Sequence, residues 1–150
     1  MSSTTVRTAI KTFLTTYAPT EHVIDLTGQF AEIQNLISNA ALTASDTWMG
    51  LQFIGNDEVP ITVGSDNVHG KYRESGAIYF HIVDVAKLSA PSSILGRGET
   101  IISLFRGKRI NDIIVESLTP INFDTGATLQ FTGGYLSGSF LLSYTREYNI

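Results

Sequence analysis

The stretch GAIYFHIVDVAKLSAPSSILGRGETIISLFRGKRI, Gly76 to Ile110, decides how the chain folds. Its first part, Ala77 to Val85, is dense in Val, Ile, Tyr and Phe. These residues fit a pleated, buried surface, and the run is too short and too β-branched for a helix. Alternation puts Ile78, Phe80 and Ile82 on one face and Tyr79, His81, Val83 and Val85 on the other. A strand apolar on both faces needs two covers. Ser89-Ala90-Pro91-Ser92-Ser93 announces the first, an amphipathic helix with serine caps and a proline suited to its first turn. Ile94, Gly98, Ile101 and Phe105 recur at helical spacing, flanked by Leu95 and Ile102. Gly107 is placed to stop that helix at the C′ position. Arg106, Lys108 and Arg109 put positive charge where the helix dipole is negative. The second cover is a further layer of the chain or another subunit.

Working outward, Val6, Ile10, Phe13, Leu14 and Tyr17 follow helical spacing behind the cap candidates Ser2, Ser3, Thr4 and Thr5. Ala18-Pro19 closes that helix, because the residue before proline disfavours the α region. His22 to Leu26 reads as extended, Thr27 as the cap of a second helix bearing Phe30, Ile33, Leu36 and Ile37, and Leu42 to Asp46 as a loop. Thr47 to Ile54 reads as a strand, Gly55-Asn56-Asp57-Glu58 as a turn, and Val59, Ile61 and Val63 as the return of a hairpin. Pro60 marks an edge there. The polar stretch Gly64 to Gly76 is too long for a tight turn and reads as a loop, mobile or functional. Beyond the helix, Asp112 to Glu116 is a strand, Pro120 to Gly126 a loop, Thr128 to Phe131 a short strand and Gly133-Gly134 a turn. In the last strand Leu136, Phe140, Leu142 and Tyr144 face one way, and Ser137, Ser139, Leu141, Ser143 and Thr145 the other. The sum is a single α+β domain, a mixed or antiparallel sheet with helices gathered mainly on one face.

At 150 residues, one domain burying about 70% of its unfolded surface is expected. A 43% hydrophobic and only 16% charged composition describes a globular chain whose neutral surface suits partner contacts. The net charge of −4 argues against electrostatic nucleic-acid binding, and the absence of cysteine excludes disulfides and thiolate metal sites. No apolar run reaches the ~20 residues of a membrane span, so a soluble, intracellular product with no membrane partner is expected.

Catalytic motifs are missing: there is no P-loop, Rossmann glycine fingerprint, HExxH or nucleophile elbow. Gly96-Arg97-Gly98 lies inside the helix, where close packing at Gly98 is the simpler reading than a phosphate cradle. His22, His69 and His81 fall in separate elements without metal-ligand spacing, so no metal or cofactor is expected. A small ligand or enzyme site around His81 with Tyr79 and Asp84 is the rival reading, and Asp84 lies on the opposite strand face. Asp57-Glu58 reads as a solvated turn, and Trp48 as either a core or an interface anchor. Charge placement is more informative. From Glu21 to Glu58 every charged residue is acidic, while basic residues cluster at Lys71-Tyr72-Arg73 and at Arg97, Arg106, Lys108 and Arg109. Separated signs on one domain suit head-to-tail association.

The order of these elements, with Trp48 on an early strand, Tyr72-Arg73-Glu74-Ser75-Gly76 leading into Ile78 to Val85, and a helix ending Leu104-Phe105-Arg106-Gly107-Lys108-Arg109-Ile110, resembles the tail terminator proteins of long-tailed bacteriophages. The strand Ile113 to Glu116 and the closing Ser143-Tyr144-Thr145-Arg146-Glu147-Tyr148 extend the resemblance, which runs from Trp48 onward. Residues 21–45 exceed the family pattern and read as a variable insertion. The resemblance implies a structural virion protein and no enzyme. Such proteins form a ring, usually of six copies, that caps the tail tube, ends its polymerisation and joins the head-side neck or connector protein. DNA passes through the lumen without specific binding. It also implies assembly in the host cytoplasm and a place at the head-proximal end of the tail, with a tube subunit or head-completion protein as the nearest alternatives. Trp48, Asp66, His69, Lys71, Tyr72, Arg73, Arg97, Lys108 and Arg109 are the expected partner or subunit contacts.

Overall fold

A computed structural model describes residues 4–26, 48–60, 71–85, 91–122 and 135–149. Helix α1 (Thr4–Tyr17) buries Val6, Ile10 and Leu14, one stripe at i, i+4 and i+8, and leaves Tyr17 60% exposed. Ala18 closes its last turn on Leu14, and the chain enters the short strand β1 (Val23–Asp25). Strands β2 (Trp48–Pro60), β3 (Lys71–Val85), β5 (Ile113–Leu118) and β6 (Tyr135–Asn149) follow, with β4 (Arg109–Ile110) preceding β5. Helix α2 (Pro91–Phe105) sits between β3 and β4. It starts at the expected proline and stops at Gly107, whose φ of 65° is left-handed, as a helix-ending glycine requires.

The six strands form one mixed sheet in the order β1-β2-β3-β6-β5-β4. Among the described residues only β1 and β2 run parallel, and the other pairings are antiparallel. Register fixes the inner face: Met49 lies opposite Ile82, Leu51 opposite Phe80 and Phe53 opposite Ile78, while Leu142 and Phe140 pair with Ile78 and Phe80 from the other side. Both helices cover this face. The core joins Val6, Ile10 and Leu14 of α1 and Ile94, Ile101, Ile102 and Phe105 of α2 to those strand residues. A chain of rings runs through it. Phe140 stacks on Phe80 at 4.7 Å, Phe80 tilts against Phe105 at 5.3 Å, and Phe105 meets Phe13 at 4.9 Å. Gly98 is the close-packing glycine of α2, since a Cβ there would collide with the Ile121 side chain. The architecture is the α+β arrangement expected, and among the described residues the sheet is dominant.

Two expectations are corrected. Gly55 to Glu58 is not a turn. β2 continues through it to Pro60, with a bulge at Asn56 between the pairs Gly55–Gly76 and Asp57–Ser75. The turn chemistry is absorbed as one extra residue because β3 offers partners on both sides of it. Correspondingly, Lys71 to Gly76 is strand rather than loop, and the central strand begins at Lys71, five residues before Gly76. The short β4, paired to β5 across Asn111 and Asp112, was not expected; Asn111 adopts a φ of 55°, which asparagine tolerates. The helix expected after Thr27, the loop Leu42 to Asp46, the strand Thr128 to Phe131 and the turn Gly133-Gly134 lie outside the described residues, as do Asp66 and His69.

Candidate interaction surface

Strands β2, β3 and β6 continue past the helix-covered core as a three-stranded ribbon ending at Pro60, Lys71 and Asn149. Beyond Glu74 none of its described side chains is buried. Both faces there are polar, so no alternation announces the strand. Lys71 and Arg73 sit on this end and converge on Glu147 of β6, at 2.8 and 2.7 Å. The hydrogen bond from Lys71, then that from Arg73, holds the Glu147 carboxyl well below the usual carboxylate range. Tyr72, on the opposite face, stacks on Tyr148 at 6.1 Å. The structure thus gathers three of the expected contact residues on the outer part of this ribbon.

Just inside this end lies a charged cluster that the sequence reading missed. Glu74 is buried and shares the inner face with Ile78 and Phe80. Arg146 pairs opposite it, contacts its carboxylate at 3.4 Å and donates from Nε to Asp112 at 2.8 Å. The guanidinium also lies over the Tyr148 ring at 4.5 Å, and the Tyr144 hydroxyl donates to Glu74 at 3.5 Å. The parity that places Phe140, Leu142 and Tyr144 inward also places Arg146 inward, and likewise Glu74 by parity with Ile78. That was the available signal.

Around Trp48, His81 and Val83 the opposite face of the sheet is buried within one copy. Trp48 and Val83 are fully buried and His81 is 2% exposed. Leu26 lies over Gly50, so closely that a Cβ there would collide with it, and the Trp48 ring is beside the same glycine. Trp48 is therefore a core anchor and presents no surface to a partner. His81 Nε2 lies 3.4 Å from Gln52 Oε1, and its ring stacks on Tyr79 at 6.1 Å. Burial pushes its pKa down to about 4, so the imidazole is neutral at physiological pH. Arg97 is also a correction. Rather than facing outward from α2, it ion-pairs with Glu21 at 2.6 Å and donates to the carbonyls of Val83 and Trp48. It ties α2 to the segment before β1 and to two strand ends. Lys108 and Arg109 are exposed, as expected, together with Arg106.

The acidic segment is partly neutralised from within. Asp25 takes ion pairs from Arg7 at 2.7 Å and Lys11 at 2.6 Å, and Glu21 is held by Arg97. Asp57 and Glu58 are exposed on β2. Among the described residues there is no His, Asp or Glu group able to hold a metal ion, and no helix is long and apolar enough to cross a membrane. A scan against protein-family models finds no match to this chain, and a search of curated proteins finds none either.

Proposed function

We propose that the chain is a tail terminator of a long-tailed bacteriophage. Copies join into a ring, expected to contain six, that caps the end of the tail tube, stops its growth and presents a surface to the neck. The ring surrounds the DNA path without reading bases. The observation that carries this reading is the ribbon. The residues of the resemblance, Tyr72 to Gly76 running into Ile78 to Val85, form the middle strand of a three-stranded extension that carries Lys71, Tyr72 and Arg73. A paired-strand scaffold carrying charge beyond the core suits docking to a protein tube better than it suits enclosing a small molecule.

The test combines native mass with tube capping. Purified chain added to polymerising tube protein is expected to give tubes of limited length with a ring at one end in electron micrographs. Open-ended filaments formed by the chain itself would make it a tube subunit instead. The variant Lys71→Ala with Arg73→Ala is expected to fold normally and lose capping. Undiminished capping by that variant removes the ribbon end from the mechanism.

A further inference from the structure

The described ion pairs leave few charges over, and the leftovers are not scattered. Arg7, Lys11, Lys71, Arg73, Arg97 and Arg146 all engage a carboxylate of their own chain. The cations that form no ion pair among the described residues are Arg106, Lys108 and Arg109, consecutive around one turn after α2. Arg109 only donates from Nε to the Asn111 carbonyl, at 3.2 Å. On the acidic side, Asp57, Glu58, Glu99 and Glu116 form no ion pair among the described residues, and Glu116 accepts a hydrogen bond from Thr145. Asp57 and Glu58 stand together, next to Val59, which is 41% exposed.

Beside the basic turn runs an open groove of ≈ 740 Å³ between α1 and β4. Thr8, Thr12 and Thr16 line it at i, i+4 and i+8, Phe13 and Ile110 give it an apolar floor, and Arg109 stands at its edge. Among the described residues that line it none is acidic. A complementary occupant carries carboxylates next to a small apolar side chain. Asp57-Glu58-Val59 has that composition.

We infer that the exposed end of β2 of one copy, Asp57 to Val59, seats in the α1–β4 groove of the next copy. This rests on the ring reading above and names its two joining surfaces. Topology makes the contact head-to-tail: β4 is the last strand at one edge of the sheet, whereas β2 lies next to the opposite edge. Two different surfaces on opposite sides of a subunit generate a closed ring when the rotation closes. The contact is made by side chains. The bulge at Asn56, the missing N–H of Pro60 and the two carboxylates all discourage backbone strand addition along the outer edge of β2. Glu58 pairs opposite Glu74 on the inner face and Asp57 opposite Ser75 on the outer, so the carboxylates point to both sides of the strand.

Charge reversal tests this on the full chain. Asp57→Lys with Glu58→Lys, and separately Lys108→Glu with Arg109→Glu, change only exposed residues. Circular dichroism is expected to show both variants folded. Each is expected to weaken self-association, read by native mass spectrometry at high protein concentration, by about tenfold or more. The fourfold swap in one chain restores it. Because the chain has no cysteine, Val59→Cys with Thr12→Cys gives a second readout: a ladder of disulfide-linked oligomers that neither single variant forms. If the wild type assembles but neither reversal weakens it and no ladder appears, these surfaces are wrong while the ring stands. A wild type that stays monomeric at every concentration and on tube ends overturns the ring and the contact together. Capture of a short duplex DNA, abolished by Lys108→Glu with Arg109→Glu while assembly persists, assigns the groove to phosphates and overturns the contact.

Discussion

Both faces of β3 carry buried residues, Ile78, Phe80 and Ile82 on one and His81 and Val83 on the other, but the two are closed in different ways. Where Ile78, Phe80 and Ile82 meet the two helices on the inner face the packing is hydrocarbon and aromatic, and the buried Glu74 lies farther along the same face beside Arg146. On the outer face Val83 and Trp48 share the interior with an imidazole, His81, whose polar neighbour is Gln52. That hydrocarbon part of the inner face is held by dispersion and exclusion of water, which pH does not alter. The outer face carries a titratable group that must remain neutral to stay buried. One strand therefore couples a pH-indifferent hydrocarbon patch to a pH-sensitive one around His81.

The largest effect expected from breaking this comparison is at the ring at the centre of the inner face. Phe80 touches β6 through Phe140 and α2 through Phe105. Phe80→Ala deletes the link between sheet and helix, leaving a cavity that close-packed neighbours fill only partly. We expect a loss of about 3–5 kcal/mol in urea denaturation, equal at pH 7 and pH 5. A loss under about 1 kcal/mol would mean that α2 is held chiefly by the Arg97 ion pair and Gly98 contact, and that the aromatic chain is incidental.

His81 gives the next effect, and it depends on pH. Its ordinary pKa is 6.5 and burial lowers it to about 4 in the folded chain. Above 6.5 the imidazole is neutral in both states and costs nothing. Between 6.5 and 4 the unfolded chain binds a proton that the folded chain refuses, so stability falls as pH falls through that window; below 4 this group adds no further loss. The total is on the order of 3 kcal/mol, of which roughly 2 are gone by pH 5. His81→Gln keeps a polar partner for Gln52 without the titration and is expected to flatten the profile between pH 7 and 5. A profile just as steep in that variant assigns the acid sensitivity to other groups.

The inner face was legible in the sequence because its signals are periodic and local. The α2 stripe, the proline start, the Gly107 stop and the alternation of β6 each follow from neighbours within one element. What escaped detection depends on partners far along the chain. Arg97 beside two glycines resembles a surface cation until Glu21, 76 residues away, folds against it. Gly55-Asn56-Asp57-Glu58 has turn composition, and only the long pairing with β3 makes it a bulge. The ribbon end hid for a third reason: with solvent on both sides its strands need no apolar alternation, so Lys71 to Gly76 read as loop. Glu74 and Arg146 were within reach, because extending the parity of each strand by a few residues places both charges on the core face.

The smallest expected effect sharpens the contrast between that buried pair and the exposed one beside it. Lys71 and Arg73 hold Glu147 with its carboxyl acidified, and all three side chains remain a third or more exposed. Water screens such pairs and salt weakens them further, so their geometry outlasts their contribution to folding. Because the folded pKa of Glu147 is depressed, whatever stability it confers is present above the ordinary carboxylate range and fades as pH falls toward the folded value. Lys71→Ala with Arg73→Ala is thus expected to leave the thermal midpoint at pH 7 unchanged within error and to remove only a salt-sensitive increment at low ionic strength. A clear drop at moderate salt would mean that the ribbon end is part of the folding unit. In that event loss of tube capping by the same variant reports unfolding, and Tyr72→Ala, which leaves both ion pairs in place, becomes the variant that separates docking from stability.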